Sequence, residues 1–154
     1  MTKRTIRTIV AATAFVAVLI SIGPATAAGF WECRAGTWVA VGGPAHAKPL
    51  RPCGAKPSLP TSESACRAVG GRWGRAGLFP EPICVVATRD AGRVCGDGGE
   101  CEGTCLVDAE LARGGMFGRE PSGPATGACT RARPVFGCMI EVTRGTIGRR
   151  ICRD

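Results

Sequence analysis

The chain reads as a small disulfide-rich, β-rich and loop-heavy domain with at most one short helix. Three observations predict this class. Ten of the 154 residues are Cys and only one is His. Large aliphatic side chains are scarce. The apolar stretches are short and bounded by Gly or Pro, of which there are 23 and 11. An even Cys count in an exported chain implies a disulfide framework, here five bridges through Cys33, Cys53, Cys66, Cys84, Cys95, Cys101, Cys105, Cys129, Cys138 and Cys152.

Export is itself a reading of residues 1–27 as a signal peptide. Lys3, Arg4 and Arg7 form a charged start, Ile9 to Ile22 is an apolar run, and Ala25-Thr26-Ala27 supplies a small-x-small cleavage pattern. The run is too short to span a bilayer, so no membrane span is expected in the mature chain, which is placed in the periplasm or the medium. Cleavage leaves 127 residues, of which Leu, Ile, Val and Phe make up about 17%. That is below the level at which a chain of this size folds on its core alone, so the bridges are expected to supply the difference.

The mature chain divides into an N-terminal Pro-rich arm, 28–60, and a disulfide-stapled domain, 61–154. Within 29–43, Trp31, Trp38, Val39 and Val41 suggest one or two short strands. Five prolines between 44 and 60 favour an extended path and exclude helix, and a local Cys33–Cys53 bridge would tie the arm together. Thr61 is placed to cap a helix over 62–69 that Gly70-Gly71 stops. Residues 82–88 are the best strand, β-branched and bounded by Pro82 and Asp90-Ala91-Gly92. A Gly- and Cys-rich loop spans 95–107, and 108–127 reads as a long mobile loop. The alternation of Cys138, Ile140 and Val142, the Arg144-Gly145 turn, and Ile147 and Ile151 predict a C-terminal hairpin in which Cys138 and Cys152 lie opposite each other.

The motif Cys66-x3-Gly70-Gly71-x-Trp73 is followed by Asp90-Ala91-Gly92-x-x-Cys95, then by Cys101-x-Gly103-x-Cys105. Over residues 66–154 this order resembles small cysteine-rich secreted or envelope proteins of bacteria. The resemblance implies an extracytoplasmic location and a bridge-stapled fold, and no activity.

Catalytic vocabulary is sparse. His46 is the sole imidazole, sits in an extended Pro-rich stretch, and is expected to be exposed. Asp97, Glu100 and Glu102 read as a solvated acidic turn, with neither an apolar surround for acid catalysis nor the ligand spacing of a calcium loop. No Cys-x-x-Cys pair is present, which argues against zinc and against thiol redox chemistry. No catalytic residue, metal or cofactor is therefore assigned, and Trp73 is expected in the core. Arg131, Arg133, Arg144, Arg149, Arg150 and Arg153 form a candidate anion patch. An acidic envelope polymer or protein is the expected partner, and nucleic acid is not. The reading is thus an exported, non-enzymatic binding or structural protein. Its rival is a secreted protease inhibitor presenting an Arg-bearing loop, Arg72–Arg75 or Arg113–Arg119.

Overall fold

The computed structural model describes residues 27–107 and 121–153. The stretch read as a signal peptide (apart from Ala27), most of the expected 108–127 loop, the Arg113–Arg119 alternative and Asp154 lie outside the described residues.

Elements are short because apolar runs are short. Strands β1 (Phe30–Arg34) and β2 (Thr37–Val41) form a hairpin that turns at Ala35-Gly36, both at positive φ. Helix α1 (Glu63–Ala68) follows the arm. Its cap is Ser62, whose hydroxyl accepts from the Ala65 amide, so the cap lies one residue beyond the expected Thr61. Strands β3 (Arg72–Gly74), β4 (Ile83–Ala87) and β8 (Ala132–Arg133) make a three-stranded antiparallel sheet in the order β3-β4-β8. A second antiparallel sheet has the order β10-β9-β6-β7-β5. It comprises β5 (Val94–Cys95), β6 (Cys105–Leu106), β7 (Gly127–Cys129), β9 (Gly137–Thr143) and β10 (Thr146–Arg153).

The core lies on the five-stranded sheet and is largely sulfur. Cys95, Cys101, Cys105 and Cys129 are buried together with Val107, Ile140 and Val142. Two crossing bridges, Cys95–Cys105 and Cys101–Cys129, fill the volume that aliphatic side chains occupy in richer sequences. Cys66–Cys84 fastens α1 to β4, Cys138–Cys152 joins opposite positions of the β9–β10 hairpin, and Cys33–Cys53 closes the arm. All ten cysteines are thus paired.

Part of the expected mobile loop is built into this sheet. Residues 121–126 lead into β7 along the hairpin turn, with Ala125 N donating to Gly145 O and Ile147 N to Gly123 O. Gly145, at φ +71°, lies against Ala28, whose amide donates to the Gly145 carbonyl. No helix among the described residues is long and apolar enough to cross a membrane.

Candidate functional site

The Pro-rich arm reaches the domain through a buried carboxylate. A single 3₁₀ turn, Gly98–Glu100, places the Glu100 side chain inward, where only 3% of the residue is exposed. One oxygen accepts from the amides of Trp31 (2.9 Å) and Gly96 (3.1 Å), and the other lies 2.7 Å from His46 Nε2. Trp31 Nε1 donates to the His46 carbonyl and fixes the backbone there. His46 was expected in solvent, yet its side chain is 5% exposed. Docking of the arm buries it, which no local pattern around Pro44-Ala45-His46 reveals.

The acidic turn departs from expectation in the same way. Asp97 accepts from the Gly99 amide, capping the turn, and from the Arg144 amide at 2.9 Å. Glu102 takes the Arg89 amide and side chain, both at 2.8 Å. These hydrogen bonds and the Arg89 charge, set against some desolvation, hold the Glu102 carboxyl below its ordinary range. All three acids brace the fold rather than dress a solvated turn.

Beside them the arm and the three-stranded sheet enclose a cleft of about 520 Å³ with an uneven charge balance. Arg51, Lys56, Arg89 and Arg133 line it, with Glu102 as the facing carboxylate. Glu102 is paired with Arg89. The other three cations donate to neutral carbonyl oxygens. Arg51 bonds Gly99 O and Gly54 O, Lys56 bonds Gly98 O and Gly103 O, and Arg133 bonds Pro57 O. Arg51 is further held with its guanidinium 5.6 Å from the Trp38 ring centre, while Trp38 Nε1 donates back to Arg51 O. Burial lowers the pKa of Lys56, and the Arg51 and Arg133 charges lower it further, with Asp90 and Asp97 opposing. Burial likewise lowers the pKa of Arg51, against the pull of Asp90 and Glu102. The carboxylates of Asp90, Asp97 and Glu102 act on Arg51 and Lys56 through their charge but form no ion pair with them; carbonyls are the direct partners, which leaves room for an anionic ligand to pair with the cations.

No one cleft among the described residues is lined by all six arginines of the candidate patch. Arg133 enters the basic cleft. Arg131 lies with Arg72 in a cleft that shares Pro134, Val135 and Phe136 with an apolar cleft lined by Arg153, and Arg144 lies near Asp97. Arg149 and Arg150 stand on β10, the first exposed and the second half-buried. Arg51, Lys56 and Arg89 replace them as partners of Arg133, a grouping set by how the arm docks. Of the inhibitor alternative, Arg72 lies in β3 opposite Val85 of β4, and Arg75 turns back to donate to Pro80 O.

The apolar cleft, about 550 Å³, lies between β4 and the 134–136 segment. Trp73, placed in the core by the sequence, is half-buried and forms one wall, with Ile83, Phe79 and Phe136 around it. Phe79 and Phe136 meet edge to face at 6.3 Å. Cysteine sulfurs do converge with one another and with Asp90, but every one of them is in a disulfide and offers no thiolate to a metal.

No protein-family model matches the chain, and no match was found among curated proteins or solved structures.

Proposed function

We propose that the protein is an exported, non-enzymatic binding domain that takes an anionic partner, such as an acidic envelope polymer or protein, in the cleft of Arg51, Lys56, Arg89 and Arg133. The observation that carries this reading is the pairing of Arg51, Lys56 and Arg133 with carbonyl oxygens, which leaves positive charge in a walled cleft. Five disulfides suit an oxidising compartment outside the cytoplasm and hold the cleft walls in place before any ligand arrives. Binding is the role favoured over catalysis because the buried acid is committed to the one imidazole and to two backbone amides.

Titration of the oxidised protein with tripolyphosphate, at low and at physiological ionic strength, tests the reading. Binding is expected to weaken steeply with salt and to fall about tenfold in Arg133→Gln. Binding that ignores both salt and the substitution contradicts it.

A further inference from the structure

The basic and apolar clefts are neighbours, and three chain segments run from one into the other. Along the arm, Lys56 and Pro57 line the basic cleft while Leu59 and Pro60 line the apolar one. Along β4, Cys84 belongs to the apolar cleft and Val86 to the basic one. Cys84 and Val86, two apart and about 7 Å from each other, share one face of the sheet with their cross-strand partners Trp73 and Arg133, while Ile83 and Ala87 line the same two clefts from the other side of β4. Val85, between them, lines a different cleft with Arg72 and Arg131. Arg133 and Pro134 are consecutive, the first in the basic cleft and the second in the apolar one.

We infer that the two clefts form a single amphipathic trough for an anionic amphiphile, with its phosphate or carboxylate headgroup among Arg51, Lys56 and Arg133 and its alkyl chain against Trp73, Phe79 and Phe136. This rests on the proposed anion-binding reading and narrows its ligand class. The volume of the apolar cleft is within the range of small-molecule sites. Among the described residues that line it, the polar groups are the Thr61 hydroxyl, the Trp73 indole N–H and the Arg153 guanidinium, and none is a carboxylate. Phe79 remains 47% exposed on its rim, a large apolar surface that an alkyl chain would cover. The walls are held on both sides of β4, by the Cys66–Cys84 bridge and by pairing with β8, so the trough exists before the ligand binds.

Calorimetry on the full oxidised chain, with dodecyl phosphate below its micelle concentration, inorganic phosphate and dodecyl maltoside as probes, tests the inference. Dodecyl phosphate is expected to bind about tenfold or more tighter than phosphate. It alone of the two anions should shift Trp73 emission, a signal lost in Trp73→Phe. Phe79→Ser, at an exposed position, should remove the chain-dependent gain and leave phosphate binding unchanged, while Arg133→Gln should weaken both anions. If dodecyl phosphate binds no tighter than phosphate, the amphiphile inference falls and the anion-binding reading stands. If the maltoside binds as tightly as dodecyl phosphate and Arg133→Gln changes nothing, or if neither anion binds, both fall.

Discussion

The Glu100 carboxylate and the His46 imidazole lie 2.7 Å apart in the interior, joining the Pro-rich arm to the 3₁₀ turn between two disulfide cysteines. The same carboxylate receives the amides of Trp31 and Gly96, so one side chain ties residues 31 and 46, both more than fifty positions away, to its own turn. Removing it leaves buried donors without acceptors. Glu100→Ala is therefore expected to destabilise the fold by about 3 kcal/mol in urea denaturation at neutral pH. It should also increase proteolysis within residues 44–60, because the arm loses its anchor.

Glu102 gives the fold an acid-sensitive component. Its folded pKa lies below the ordinary value of 4.5, so its stabilisation is fully present above that value and is lost as pH falls through the lower, folded one. Glu102→Gln should cost about 1 kcal/mol at neutral pH, where it weakens the Arg89 hydrogen bonds. The gap between wild type and variant should close as the pH is lowered, as followed by denaturation midpoints across that range.

The two glycines of the Cys66-x3-Gly70-Gly71-x-Trp73 motif act differently. Gly70 ends α1 at φ +72° in open space, so Gly70→Ala meets backbone strain only, about 1 kcal/mol. A Cβ on Gly71 would stand 2.7 Å from both sulfurs of the Cys66–Cys84 bridge. Gly71→Ala is expected to cost about 2 kcal/mol or more, and thermal unfolding of the two variants should rank them in that order.

Bridges should differ in worth according to what surrounds them. Cys101 and Cys129 are 0% and 4% exposed and belong to the core, whereas Cys138 and Cys152 are exposed at the open end of their hairpin. Replacing the first pair by Ala removes core contacts as well as the crosslink and should cost about 4 kcal/mol. Replacing the second pair should cost about 2. Equal losses in urea denaturation would mean that the sulfur core contributes nothing beyond crosslinking.

Local features of this chain were legible wherever a short pattern sufficed. The C-terminal hairpin followed from alternating Cys138, Ile140 and Val142 around Arg144-Gly145, and β4 from its β-branched run. Strands β3 and β8 were not legible, since three and two residues carry no period. The candidate site was the least legible part. Arg133 was singled out for its charge, but its partners Arg51 and Lys56 come from the arm, across contacts that span more than forty residues. Charge that lies far apart along the chain meets only after the arm docks, and Glu100, the residue that docks it, has the local sequence of an exposed turn.

The central claim is that one cleft gathers cations that no carboxylate among the described residues pairs with directly. Backbone and side-chain NMR shifts during titration with inorganic phosphate test it most directly. Saturating changes confined to Arg51, Lys56, Arg89, Arg133 and their immediate neighbours are the predicted result. Changes spread over Arg131, Arg144, Arg149 and Arg153 as strongly as over the cleft, or none at all, would contradict it.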